Sequence, residues 1–233
     1  KSGAGGKKVK AVKRKTVIKK LVRKTRKKIS VLDLKRSKKN PIIEPASHKY
    51  WQSKATFNPT AFYHDGKVHI IYRAIGDDDN SVLGYAGSQD GYTISDSFPT
   101  PVYFHYMRRN KDRSLLPISY SSGGGWGGGC EDPRLTLLGD KVYMLYTAFD
   151  GWGSVRISLT SISLDDFIVK RWNWEKPVLI SPPEQINKNW VLFPEKIKGK
   201  YAILHSISPR IMIDYFDSLD ELDGDNYIYS LHQ

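Results

Sequence analysis

An all-β fold built from repeated, propeller-like blades is what this chain predicts, and three observations carry that expectation. One short hairpin recurs three times, the copies keep register over a long offset, and tight turns separate runs of alternating apolar residues. Asn58-Pro59-Thr60-Ala61-Phe62 leads through Gly66-Lys67 into Val68-His69-Ile70-Ile71-Tyr72. Asp132-Pro133-Arg134-Leu135 leads through Gly139-Asp140-Lys141 into Val142-Tyr143-Met144-Leu145-Tyr146, and Phe193-Pro194-Glu195-Lys196-Ile197 leads through Gly199-Lys200 into Tyr201-Ala202-Ile203-Leu204-His205.

Each copy reads as a polar residue beside a proline, a short strand, a glycine-containing turn and an alternating strand. The first two copies continue into a further strand and a second turn, at Ser88-Gln89-Asp90-Gly91-Tyr92 and Ser163-Leu164-Asp165-Asp166-Phe167. Pro59 and Pro133 are 74 residues apart, and Asp90 and Asp165 are 75 apart, so the copies stay in step. Blades usually repeat every 40 to 50 residues. The excess is a Pro-, Arg- and Gly-rich insertion over residues 99–130. A plain β-sandwich is the alternative, but it supplies no reason for three copies of one hairpin. Three blades cannot close a ring, so further blades are expected beyond Gln233.

Of the 37 Lys and Arg, 18 lie in residues 1–40 beside the single Asp33, which leaves 19 bases against 23 acids in the remainder. The net charge of +13 therefore belongs to a tail, residues 1–40, and the blades occupy 41–233. Val17, Ile18, Leu21 and Val22 would form a narrow apolar stripe if that tail became helical. A solvated arm and an arm that contacts an anionic surface are both open readings. No specific nucleic-acid partner is expected, since the excess charge is confined to the tail. No run approaches the ~18 apolar residues of a membrane span and no secretory leader is visible. Cys130 is the only cysteine, which excludes an internal disulfide and points to a reducing, cytoplasmic setting. The six His lack metal-ligand spacing, so no metal and no resident cofactor are expected.

The chemistry concentrates in Gly129-Cys130-Glu131-Asp132-Pro133-Arg134, two adjacent carboxylates and a guanidinium at the mouth of a strand. Innermost blade strands line a common channel, so equivalent polar positions at blade starts converge. Those positions are expected to be Asn58, Asp132 and Glu195 or its neighbours. One amide and two carboxylates around a funnel suit glycoside cleavage, in which one carboxyl protonates the leaving oxygen. The plainer reading is that Asn and Asp beside Pro cap turns. The aromatic content, 12% with six Trp and fourteen Tyr, suits sugar faces. The run Gly123 to Gly129 lacks the Lys-Ser/Thr of a phosphate-cradling loop and reads as a flexible cover, with Trp126 either stacking on sugar or anchoring the loop. Trp172, Trp174 and Trp190 are expected to pack between blades, and Cys130 has no neighbouring His to act as its base.

The phrases Phe57-Asn58-Pro59-Thr60-Ala61, Tyr72-Arg73, Cys130-Glu131-Asp132-Pro133-Arg134 and Asn189-Trp190-Val191-Leu192-Phe193-Pro194-Glu195-Lys196 resemble glycoside hydrolase family 130. This family comprises β-mannoside phosphorylases and related hydrolases on a five-bladed β-propeller, and the resemblance spans about residues 38–230. It implies that Asp132 is the general acid, passing its proton through a hydroxyl of the bound mannosyl ring. It also implies that Asn58, Arg73, Asp77 and Glu131 line the sugar subsite, with Arg134 and Glu195 beside them. Lys188 matches a position where the phosphorylases keep a basic residue for inorganic phosphate, the possible co-substrate.

Ser206 departs from the pattern, standing where the phosphorylases carry an Arg; His205 and Arg210 are near enough to substitute as phosphate contacts. Phosphorolysis and hydrolysis both stay open, as does a homo-oligomer. A retaining furanosidase is a rival, but it needs an Asp nucleophile where this chain has Asn58, and an amide cannot form the glycosyl ester. A carbohydrate-binding propeller without catalysis is the alternative from outside the enzymes.

Overall fold

The computed structural model describes residues 35–104, 129–149, 155–206 and 210–230. The chain divides into two units, residues 1–37 and 38–233, and every described strand belongs to the second. Residues 1–34 of the basic segment expected as a tail, Trp126 and most of the insertion lie outside the described residues. The regular elements of the described residues are almost all strands, with very little helix.

The first hairpin copy becomes β1 (Ala55–His64) and β2 (Lys67–Ile75), followed by β3 (Ser81–Ser88) and β4 (Ile94–Ser97), all antiparallel neighbours. The second copy becomes β5 (Gly129–Leu138) and β6 (Lys141–Phe149), followed by β7 (Val155–Ser163) and β8 (Val178–Leu179). The third is shorter: β9 (Val191–Leu192), β10 (Tyr201–His205) and β11 (Met212–Phe216). A single parallel pair, Ser81 with Gly129, joins the first two groups into one hydrogen-bonded sheet. There are thus three blade-like strand groups, and among the described residues the sheets do not close on themselves.

Burial shows why the strands do not read as simple in-out alternation. Val142, Met144, Tyr146 and Ala148 on one face of β6 pack with Ile71, Leu83 and Tyr85 of the first group. Leu145 on the other face packs with Trp190, Leu192 and Ile203 of the third. The middle group is covered on both faces, so its central strands need apolar residues at odd and even positions alike. The first group has a second core of its own, where Ile70, Tyr72 and Ala74 meet Trp51. Trp172 and Trp174 stack around Phe167, and Trp190 lies against His205, so all three indoles pack at sheet interfaces.

The second turns differ between copies. In the first, Asp90 Oδ1 accepts from the backbone N–H groups of Tyr92 and Thr93 and closes a turn beside Gly91. In the second, no glycine is present and Ser163 Oγ instead accepts from Asp166 N, capping a one-turn helix α1 (Leu164–Ile168). That helix drives Phe167 into the core against Phe62, His69 and Tyr85. Among the described residues no helix is long and apolar enough to cross a membrane.

His69 sits in that aromatic nest, its Nδ1 3.0 Å from the Tyr85 hydroxyl. Burial, reinforced by Lys67, lowers its pKa to about 4. A group held neutral in the fold but protonated when unfolded below about 6.5 contributes stability that is full above that pH and lost as pH falls toward 4. His205, also lowered by burial, acts in the same direction. Urea midpoints measured at pH 7, 5.5 and 4.5 are therefore expected to fall, and His69→Phe to flatten part of the decline above pH 4.5. An unchanged slope in that variant would assign the effect to other groups.

Candidate active site

Two bulges build the site. Pairing between β1 and β2 skips Asn58 and Pro59, and pairing between β5 and β6 skips Asp132 and Pro133. Proline has no N–H to give to a ladder, so it belongs where the ladder is interrupted. The residue before it takes the left-handed conformation, with φ 46° at Asn58 and 49° at Asp132. Asn and Asp are the side-chain-bearing residues most at home there. The kink turns both side chains out of the pleat and toward each other.

The first strands of the three groups run beside one another. Leu135 N donates to Thr60 Oγ1 at 3.0 Å, and Thr136 Oγ1 donates to the carbonyl of Leu192 at 2.8 Å, stitching β1 to β5 and β5 to β9. On this frame Asn58 Nδ2 donates to Asp132 Oδ1 at 2.7 Å. Arg73, opposite Phe57 in the register, spreads its guanidinium over both carboxylates: Nη1 to Asp132 Oδ1 at 3.1 Å and Nη2 to Glu131 Oε1 at 3.3 Å. Its Nε donates to Ser81 Oγ at 2.8 Å and its plane lies 4.6 Å from the Phe57 ring centre, which holds the fork in place. Lys188 Nζ reaches the other Glu131 oxygen at 2.8 Å.

Glu131 and Asp132 differ in setting. The Glu131 side chain is 4% exposed and bonded at both oxygens, to Arg73 and to Lys188. The Asp132 side chain is 12% exposed; both its bonds fall on Oδ1, and Oδ2 receives none from the described residues. A carboxyl anchored at one oxygen and free at the other can deliver a proton to a group bound beside it.

Register corrects the expected third blade start. Ile71, Leu145 and Leu204 occupy equivalent positions, four residues after Lys67, Lys141 and Lys200, and they pair with Thr60, Arg134 and Val191. The counterpart of Asn58 and Asp132 is therefore Asn189, which also has a left-handed φ of 62°. Its Oδ1 accepts from Arg134 Nη2 at 3.1 Å. Glu195 lies beyond β9, exposed, in a hairpin connection two residues longer than the others. In the third copy the proline, Pro194, belongs to the longer connection and no proline follows Asn189, so the proline pattern points to Glu195 instead. By the same register Lys188 stands where Phe57 and Glu131 stand, and Ser206 where Arg73 and Thr147 stand.

The remaining candidates fall elsewhere. Asp77 is exposed, and its Oδ1 accepts from Ser53 Oγ at 2.5 Å. It is set by Gly76, where an added Cβ would lie 1.8 Å from the carbonyl oxygen of Tyr50. Asp79 pairs with Lys54 at 2.7 Å and Asp78 accepts from Asn80 N, a turn held by its own contacts. His205 is buried; Nδ1 is 3.1 Å from Ser206 Oγ, and Nε2 is 3.2 Å from Asp214 Oδ2 at an angle that makes no hydrogen bond. Arg134 Nε is buried without a hydrogen-bond partner. Cys130 is fully buried in the core beside Tyr103 and Tyr146. No group of three or more His, Cys, Asp or Glu among the described residues is arranged to hold a metal ion.

A convergence of Asn, Arg and paired carboxylates at bulged blade entrances is therefore present, and its family follows from comparison. The model of glycoside hydrolase family 130, described as β-1,4-mannooligosaccharide phosphorylase, matches residues 23–224. The chain belongs to this family. Among curated relatives, a 1,2-β-oligomannan phosphorylase from Thermoanaerobacter sp. (strain X514) is 34% identical over 193 residues, covering 81% of this chain and 58% of that protein. A β-1,2-mannobiose phosphorylase from the same organism is 32% identical over 193 residues, covering 77% and 56%. The chain thus spans little more than half the length of these relatives.

Solved structures share the fold. One, described as showing that "the GH130 family of mannoside phosphorylases contains glycoside hydrolases that target beta-1,2 mannosidic linkages in Candida mannan", superposes with a TM-score of 0.62 at 23% identity over 79% of this chain and 55% of that one. The β-1,2-mannobiose phosphorylase of Listeria innocua, in complex with β-1,2-mannobiose, gives 0.53 at 20% identity over 79% and 63%.

Proposed function

We propose that this family 130 protein cleaves a β-mannosidic bond in a mannooligosaccharide with inversion, by phosphorolysis, Asp132 supplying the proton. The observation that carries the reading is the Asp132 carboxyl, anchored through Oδ1 by Asn58 and Arg73 while Oδ2 receives no bond from the described residues. An inverting displacement needs a donor on the leaving-group side and a nucleophile on the opposite face. If phosphate is the nucleophile no base is required, but a dianion must be held by fixed cations.

Lys188, 42% exposed and steadied by Glu131, is positioned to offer one such charge. Asn58, Arg73 and Glu131 line the sugar side in this reading, and Asn189 with Arg134 forms its third wall. The phosphorylase relatives at 34% and 32% identity support phosphate as the acceptor. Five blades around one axis, and a cytoplasmic setting for a chain with a single buried cysteine, belong to the same proposal.

Ser206 favours a second reading, hydrolysis, because a hydroxyl at the register position of Arg73 leaves the anion one guanidinium short. Incubation with β-1,2- and β-1,4-mannobiose, with and without inorganic phosphate, distinguishes these. Mannose 1-phosphate formed only with phosphate is the expected product. Free mannose alone would establish hydrolysis, and no turnover of either disaccharide would leave a sugar-binding propeller.

A further inference from the structure

A cleft of about 420 Å³ opens between the second and third strand groups, lined by both and sharing no residue with the Asp132 cluster. Lys141, on its wall, pairs with Leu138 at the far end of β5. That is six residues from Asp132 along an extended strand, about 20 Å away. Its floor is the inter-sheet core, where Leu159, Leu219 and Leu222 are nearly covered.

Two tyrosines form one side, Tyr143 and Tyr201, with ring centres 6.4 Å apart in an edge-to-face arrangement. Burial raises the Tyr143 phenol to about 12, so it stays a neutral hydroxyl that both donates and accepts. The rim is charged but nearly balanced. Glu175 is clamped by Lys141 at 2.8 Å and Ser161 Oγ at 2.6 Å, and Lys176, Asp220 and Asp223 complete it.

We infer that this cleft is a second, non-catalytic site for a neutral oligosaccharide. An apolar floor beside tyrosine rings suits the C–H face of a pyranose, and a rim of fixed carboxylates, lysines and hydroxyls suits its hydroxyl edge. Three carboxylates against two lysines disfavour an anion. A purely apolar ligand would strip water from the rim charges without replacing their hydrogen bonds. The size accommodates one or two sugar rings, so a chain anchored here would be kept near the protein between encounters with the other site.

Titration of mannotriose into the non-turning Asp132→Asn protein, followed by calorimetry, tests the assignment. Two binding events are expected. Lys176→Trp, which fills the mouth from an exposed position, is expected to remove one event and leave the Kd of the other within about twofold. Tyr201→Ala is expected to weaken the same event at least tenfold. Asn58→Ala is expected to weaken only the other event.

One event that disappears in Lys176→Trp would sustain the cleft while counting against the Asp132 site as a sugar subsite. One event lost only in Asn58→Ala, or two events insensitive to both Lys176→Trp and Tyr201→Ala, would overturn the cleft assignment. So would the absence of any binding heat.

Discussion

Replacing Asp132 with Asn is expected to lower the rate of mannoside cleavage by at least 10² to 10⁴-fold while leaving the fold nearly intact. The side chains are almost the same shape, and an amide oxygen can still accept from Asn58 Nδ2 and Arg73 Nη1 at the present distances. What is lost is the acidic proton, and a positioned general acid contributes that order of rate. Arg73 keeps its contact with Glu131, so the thermal midpoint should shift by no more than about 3 °C, equivalent to roughly 1 kcal/mol for a chain of this size. Product release assayed alongside circular-dichroism melting on the same sample checks both halves. A variant that retained activity would remove Asp132 from the mechanism, and one that lost activity by unfolding would contradict the expected tolerance of the fold.

Removing Arg73 is expected to produce the largest stability change of any single substitution at the site. Its guanidinium is 9% exposed and neutralises Glu131 and Asp132, which are 4% and 12% exposed. Deleting one partner of a buried ion pair strands the other in a medium that cannot solvate it, at a cost of about 3–5 kcal/mol. Arg73→Met keeps the stem against Phe57 and isolates the electrostatic part. Glu131→Gln should cost less, because Lys188, which is 42% exposed, can turn to water and Arg73 retains Asp132. Combining Arg73→Met with Glu131→Leu should recover much of the loss, since the two residues share one interaction. Urea unfolding of the three variants measures this; a loss under about 1 kcal/mol in Arg73→Met would mean that water or Lys188 already screens the pair.

These two substitutions address residues whose legibility in the sequence differed. Asp132 and Asn58 were readable because each precedes a proline at the start of a strand, and the two lie one repeat apart. That pattern has a local cause, a bulge that proline tolerates and a left-handed residue that Asn and Asp tolerate. Arg73 was readable only through its resemblance to the family, since a lone Arg in a strand carries no local mark of what it faces. Asn189 was hidden by Pro194, which belongs to the longer third connection, and its equivalence emerged only from which residues pair across β9 and β10. Glu195 illustrates the converse, a residue well placed by motif alignment and found exposed beyond the strand.

The second turns show the same limit. Ser163 to Phe167 matches Ser88 to Tyr92 in spacing, yet one forms a capped helical turn and the other an Asp-closed turn. The difference rests on Gly91 and on a buried aromatic nest that Phe167 completes, and only the first of these is visible locally.

Taken by itself, the amino-acid order determined the strand-rich class, the three hairpins, the concentration of basic charge in residues 1–40 and the two polar residues set before prolines, Asn58 and Asp132. Each depends on interactions between neighbours in the chain: alternation, turn chemistry, proline's missing N–H. Tertiary structure alone decided that Arg73 bridges Glu131 and Asp132, that Asn189 rather than Glu195 is the third entrance residue, and that a tyrosine-walled cleft opens between the second and third groups. Those facts depend on how separate sheets dock and which residues pair across them, and strand register is set by packing over distances that no local window spans.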